Sequence, residues 1–196
     1  MTIATSTPDT RSVAELTTAL FGEALSIDQV VARIAQIDIS VTRTVAATKG
    51  LWLGSVGYEH HKDHVAFAHH VRSAGVERLI DVRELPISRR RGYAKSALSQ
   101  AMADAGVEYV HIKALGNPKP FRDLYKSGNV EEGRRCYETH LLGERRGALE
   151  ELVPLLQEKR CALMCVEHNP ATCHRTVILE ALRDEFGVEL DVAEIS

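Results

Sequence analysis

From Gly50 onward the chain alternates short strand-like runs, the fourth of them continuously apolar, with longer segments whose apolar residues recur at helical spacing. This alternation limits the fold more than any other feature. The runs are Leu51–Val56, Arg78–Val82, Val107–Ile112, Cys161–Val166 and, as a fifth, Val188–Val192. Between them, His60–Ser73 stops at Gly75 and Lys95–Asp104 stops at Gly106, glycines placed to end helices. A Gly/Pro-punctuated loop, Gly116–Pro120, leads into one long helical region from about Val130 to Glu158. Asn169-Pro170 sets a capping residue and an N1 proline ahead of a last helix that reaches Phe186, with Gly187 beyond. Strands buried on both faces do not alternate polar with apolar residues. The pattern therefore predicts an α/β fold: a three-layer, open, mostly parallel, Rossmann-like sheet with helices on both faces.

The expected division is an α/β domain over residues 49–196 and an N-terminal extension over residues 1–48. The extension reads as a disordered lead-in followed by helices Ser12–Phe21 and Asp28–Ile37, the second opening on an Asp suited to cap it. A chain of 196 residues buries roughly 70% of its unfolded surface and needs no disulfide or metal to be stable. Cys136, Cys161, Cys165 and Cys173 form no CxxC pair and no regular framework, which suits free thiols in a reducing compartment. No apolar run approaches the roughly 20 residues of a membrane span, and Met1–Thr10 lacks a signal-peptide core. The expected setting is cytoplasmic, away from membranes. A formal charge of −3 argues against coating nucleic acid by bulk electrostatics but leaves room for a local basic patch.

Open α/β sheets bind ligands outside the carboxyl ends of their strands, so the residues just past each run carry the functional information. Tyr58 and Glu59 follow the first. Asp81, Arg83, Ser88 and Arg89–Arg91 attend the second, and His111, Lys113 and Asn117 the third. Cys165, Glu167, Cys173, His174 and Arg175 attend the fourth. Cys173, placed in the first turn of the last helix beside His174 and Arg175, suits a thiolate nucleophile or an anion-binding wall. The structural alternative is a small buried hydrophobe at a helix start. Glu167, desolvated past a buried strand, suits proton transfer, or it neutralises an arginine. Asp81 and Arg83 share strand parity, and an ion pair between them is the plain account. Arg89–Arg91, beside Ser88 and Gly92, offer guanidinium groups to a phosphate. His60 and His64 stand four apart, but with no third ligand at firm spacing they read as solvated helix positions. Cys161 and Cys165 read as core strand residues.

Ser55-Val56-Gly57-Tyr58-Glu59, Asp81-Val82-Arg83, Pro86-Ile87-Ser88-Arg89, Leu115-Gly116-Asn117-Pro118 and the run Cys165 to Arg175 together resemble the ordered blocks of the domain of unknown function 488 family. The resemblance spans roughly Gly50 to Ile195 and implies a compact α/β fold with one site built from those blocks. It specifies no reaction.

The leading expectation is an enzyme, hydrolase- or transferase-like, acting on an anionic, phosphate-bearing substrate such as a nucleotide or nucleic acid. Glu59, Glu167, Cys173 and His174 are its candidate catalytic residues. Tyr58, Asp81, Arg83, Ser88, Arg89, Asn117 and Arg175 are its candidate binding residues. No cofactor motif is present. The first alternative is a non-catalytic nucleic-acid-binding module, with Tyr58 or Tyr93 stacking a base. The second is a metal site from Cys165, Glu167, Cys173 and His174. Seven residues between the cysteines fit no standard zinc template, so no metal ligand is assigned from sequence.

Overall fold

The structure is a computed structural model that describes residues 50–196. The helices expected over Ser12–Phe21 and Asp28–Ile37 lie outside the described residues. Five strands form one all-parallel sheet: β1 (Leu51–Gly57), β2 (Arg78–Asp81), β3 (Glu108–His111), β4 (Cys161–Cys165) and β5 (Leu190–Ile195), in the spatial order β3-β2-β4-β1-β5. Six α-helices connect them: α1 (His64–Ser73), α2 (Lys95–Asp104), α3 (Lys119–Lys126), α4 (Val130–Gly143), α5 (Arg146–Glu158) and α6 (Arg175–Phe186). The expected α/β class and the helices on both faces are observed. "Mostly parallel" becomes wholly parallel.

Side-chain alternation along the strands divides the core in two. Leu79, Ala162 and Met164 pack with Phe67 and Val71 of α1 and Leu98 and Met102 of α2. Ile80, Cys161 and Leu163 pack on the opposite face with Tyr137 and Leu141 of α4, Leu149 and Leu152 of α5, and Ile178 and Leu182 of α6. The central strands β2 and β4 thus feed both cores, which is why β4 shows no polar face. The chain leaves β1 and β2 toward the first face and β4 toward the second. The crevice beside the carboxyl end of β4 is therefore a topological switch point.

Several boundaries differ from the sequence expectation, each for a local reason. α1 begins at His64 and not at His60, because the Asp63 carboxylate caps the Val65 and Ala66 amides at 2.8 Å. The long helical region breaks at Glu144–Arg145, between Gly143 and Gly147, where helix propensity is weakest. α3 is a helix that the sequence pattern does not predict, and it starts inside the expected Gly116–Pro120 loop, with Pro120 in its first turn. β5 starts two residues late and runs to Ile195, paired with β1 from Leu51↔Leu190 to Val56↔Ile195.

Asp81 ends β2 fully buried, and Arg83 just beyond it is nearly so. The Arg83 guanidinium donates to the Asp81 carboxylate at 2.6–3.1 Å through Nε and Nη2, and the Arg83 amide donates to the same group at 3.0 Å. Tyr109 on β3 also donates to Asp81. Burying two charges costs several kcal/mol each, and this geometry offsets that cost with shared hydrogen bonds. Removing one partner leaves the other uncompensated. Asp81→Ala is therefore expected to lower stability by about 3–5 kcal/mol, read as a fall in the urea midpoint at constant slope; a loss below about 1 kcal/mol contradicts this role.

Candidate active site

The switch-point crevice opens into a cleft of about 810 Å³, within the usual size for a ligand site. Three segments build it. The β2–α2 loop supplies Arg83, Glu84, Leu85, Ile87 and Arg89. Asn117 and α3 supply Lys119, Arg122, Tyr125 and Lys126. The β4–α6 loop supplies Cys165, Val166, Glu167, Thr172, Cys173 and His174.

The β4–α6 loop differs from the sequence reading in one important way. Asn169 accepts a hydrogen bond from the Ala171 amide at 3.0 Å, and with Pro170 it starts a 3₁₀ turn, Pro170–Thr172, not the helix. Cys173 then takes an extended backbone conformation, and α6 begins only at Arg175, with His174 as its N-cap. Cys173 therefore precedes the helix, and its environment comes from side chains more than from the helix dipole.

Those side chains are close. Cys165 Sγ and Cys173 Sγ each lie 3.8 Å from His174 Nδ1. Glu167 Oε2 is 2.9 Å from Cys165 Sγ and 3.5 Å from Cys173 Sγ. Arg175 Nε donates to Cys173 Sγ at 3.3 Å, and Arg175 Nη2 donates to the Glu167 carbonyl at 2.8 Å. His174 Nε2 is 2.9 Å from the Val82 carbonyl, which fixes the ring across the β2 end. Burial alone would raise the Cys173 thiol, but the Cys165 thiol, the His174 imidazole and the Arg175 guanidinium outweigh it and hold it well below the ordinary value. Cys165, hydrogen-bonded to that sulfur and buried, is pushed well above. Burial and the Cys173 charge raise Glu167. For His174, burial favours the neutral ring, but Cys173 and the Val82 carbonyl prevail and raise it.

The other sequence candidates divide. Arg89 and Asn117 line the cleft; Arg83 lines it too, but its charge is committed to Asp81. Asp81 is a buried strut behind the cleft wall. Arg175 is fully buried behind Cys173 and is not among the cleft-lining residues; its Nε and Nη2 hold the thiol and the loop, while its Nη1 has no hydrogen-bond partner among the described residues. Tyr58 is buried, stacked on Tyr93 with ring centroids 4.4 Å apart, and takes a hydrogen bond from Arg83 Nη1 at 3.1 Å. Neither tyrosine is free to stack a base. Ser88 Oγ accepts from the Arg90 amide at 3.1 Å and stands outside the cleft lining. Glu59 is exposed, is not among the cleft-lining residues, and accepts from the His168 amide at 3.1 Å as a brace of the β4–α6 loop. The Arg89–Arg91 run separates: Arg90 turns to the carbonyls of Tyr58, Glu59 and His61, leaving only Arg89 at the cleft.

Cys165, read from sequence both as a core strand residue and as a metal-site candidate, is both buried and part of the cluster: it ends β4 and its Sγ faces Glu167 and His174. The α3 cations, Lys119, Arg122 and Lys126, were missed; Pro118-Lys119-Pro120 marks their helix start.

Gly57 sets the floor height. A Cβ there would stand 1.9 Å from the Glu167 carbonyl oxygen and 2.7 Å from the His168 Cα. Only glycine lets β1 pass this close beneath the loop that carries Glu167. Gly57→Ala should cost about 1–3 kcal/mol, as overpacking does. Thermal or urea unfolding reads this directly, and an unchanged midpoint would show that the loop yields freely.

With this geometry in view, comparison with known proteins places the chain: it belongs to the family described as Domain of unknown function DUF488, matching it over residues 63–182, more than half its length. The matched span contains the Asp81–Arg83, Pro86–Arg89, Leu115–Pro118 and Cys165–Arg175 blocks, while Ser55–Glu59 precedes it. No curated protein and no solved structure matches the chain. Among the described residues no helix is long and apolar enough to cross a membrane.

Proposed function

We propose that this DUF488-family chain is an enzyme acting on an anionic, phosphate-bearing substrate held in the switch-point cleft, with a nucleotide as the ligand class that suits it best. One observation carries the reading: cationic side chains from two separate elements ring a buried floor of two thiols, an imidazole and a carboxyl group with a raised pKa. Groups so perturbed, gathered in a cleft, mark reaction sites more often than structural ones.

The cations are not equivalent. Arg83 is neutralised by Asp81, Arg122 pairs with Glu84 at 2.7 Å, and Lys119 pairs with Asp123 at 2.6 Å. Arg89 and Lys126 have no ion pair among the described residues, so they are the first anchors for a phosphate. Asn117 Oδ1 and the Tyr125 hydroxyl are buried without a hydrogen-bond partner among the described residues, and both residues line the cleft. A ligand that donates and accepts would satisfy them. Leu85, Ile87 and Val166 expose apolar surface at the same rim, which favours a ligand with a flat or apolar portion over inorganic phosphate. Glu167 is the proton-transfer group, and Cys173 and His174 form the floor against which the reacting atom sits. The free thiols suit a reducing, cytoplasmic setting.

The test is a calorimetric titration of the full chain with inorganic phosphate, mononucleotides and a single-stranded oligonucleotide. Mononucleotides should bind, and Arg89→Ala and Lys126→Ala should each weaken binding about tenfold, the scale of one charge-assisted hydrogen bond. Glu167→Gln should leave affinity within a few-fold and lower any turnover by about 10²–10⁴. Absence of binding by every phosphate-bearing ligand rejects the proposal. Preference for the oligonucleotide, with affinity falling steeply as salt rises, would move the assignment to nucleic-acid binding.

A further inference from the structure

We infer that Cys165, Cys173 and His174 form a three-ligand site for a thiophilic divalent ion of the zinc class, with a fourth coordination position open to the cleft. The inference rests on the geometry of these three residues and goes beyond the choice of substrate, because metal binding requires no anion in the cleft.

The two sulfurs and His174 Nδ1 all lie within 4.8 Å of one another, and both sulfur–nitrogen separations are 3.8 Å. Zn–S bonds of about 2.3 Å and Zn–N bonds of about 2.0–2.1 Å at tetrahedral angles put neighbouring donors roughly 3.6–3.8 Å apart. Both sulfur–nitrogen separations therefore already stand near the spacing that one ion requires, and the two sulfurs are within 4.8 Å of each other. All three residues are buried, so little ordering remains to be done on binding.

The surroundings fit the same purpose. A ligating imidazole usually anchors its other nitrogen on a carbonyl or carboxylate, and His174 Nε2 sits 2.9 Å from the Val82 carbonyl. This leaves the Nδ1 lone pair facing the sulfurs. Arg175 Nε donates to Cys173 Sγ, an outer contact of the kind that orients a thiolate ligand. Both sulfurs also lie within hydrogen-bond distance of Glu167 Oε2, at 2.9 and 3.5 Å, so a carboxyl group stands beside the donor set. Two sulfurs and one imidazole select a soft or borderline ion, not magnesium or calcium.

Sequence templates overlook this site because they assume short loops between cysteines. Here the Pro170–Thr172 3₁₀ turn folds the loop back, so residues eight positions apart meet. Cys161 takes no part: it lies in the core with its thiol on the Leu155 carbonyl. Cys165, Cys173, His174 and Glu167 all line the cleft, so the fourth position faces the ligand space. With the ion bound, Cys173 is a ligand and not a free nucleophile. Glu167, at the cleft beside both sulfurs, would be the proton acceptor nearest the open position, and the ion would supply a lowered pKa to a water held there.

The experiment uses the full chain purified without a histidine tag or a metal column. Elemental analysis should find about one zinc per chain. Replacement by cobalt should give sulfur-to-metal charge-transfer absorption with the intense visible bands of tetrahedral coordination. Cys165→Ser, Cys173→Ser and His174→Ala should each lower zinc affinity by at least about tenfold, while Cys161→Ser and Cys136→Ser leave it unchanged. The cobalt spectrum of the unmodified chain keeps the test independent of whether any variant folds. It also separates this site from the surface histidines around His60–His70, which would bind cobalt without a sulfur transition. A metal-free chain that takes up no zinc, or a cobalt spectrum lacking the sulfur band, overturns the inference. Zinc binding without nucleotide affinity would reject the substrate reading and leave the metal site standing; nucleotide affinity without zinc would do the reverse.

Discussion

Arg175 is the largest fully buried side chain among the described residues, and the cleft floor is arranged around its guanidinium. A buried cation is costly unless its hydrogen bonds are made and its charge is answered. The Glu167 and His168 carbonyls accept from Nη2, and the Cys173 sulfur accepts from Nε. The cation therefore draws the β4–α6 loop inward and favours negative charge on Cys173. His174, fixed by the Val82 carbonyl, and Cys165, fixed by its strand, then have little choice but to face that sulfur.

A second buried cation supports the opposite wall. Arg83 binds Asp81 through its side chain, donates to the Tyr93 carbonyl at 2.9 Å and reaches the Tyr58 hydroxyl. It ties the end of β2 to the start of α2 and to the loop after β1. Two arginines near the site are thus used to hold walls in place, and the cations left for a ligand come from less ordered-looking parts of the sequence: Arg89 on a loop and Lys126 at the end of a short helix. Glycines complete the arrangement by permitting close approach. Gly57 does so under Glu167, and Gly116 does so at Glu84, where a Cβ would stand 2.2 Å from the backbone.

Much of this was legible in the sequence. Short strand-like runs separated by helical periodicity identify the parallel sheet, and the continuously apolar Cys161–Val166 marks its centre, since burial on both faces leaves no polar stripe. The rule that ligands gather past the carboxyl ends of strands then brought Asp81, Arg83, Arg89, Asn117, Glu167, Cys173 and His174 to one edge, and the fold brings them there. Direction was harder to read than position. Arg175 and Arg90 lie near the edge yet point into protein carbonyls, and Tyr58 turns inward onto Tyr93; a string of residues does not show which way a side chain leaves an irregular loop. Cys165 carries two readings at once, core strand residue and metal-site candidate, because the apolar run that it ends does not show which way its sulfur faces. The Asn169-Pro170 signal was correct about a cap but ambiguous about length, because a 3₁₀ turn and an α-helix begin alike.

The central claim is that the thiol–imidazole floor and the cationic walls are parts of one ligand site. Amide chemical-shift mapping of the isotopically labelled chain during titration with a mononucleotide tests it most directly. The account predicts that shifts concentrate in three separate stretches, Glu84–Arg89, Asn117–Lys126 and Glu167–His174, and saturate together with a single affinity. Shifts confined to the shallow surface at Arg183–Leu190, or scattered along exposed lysines and arginines without saturation, would contradict it.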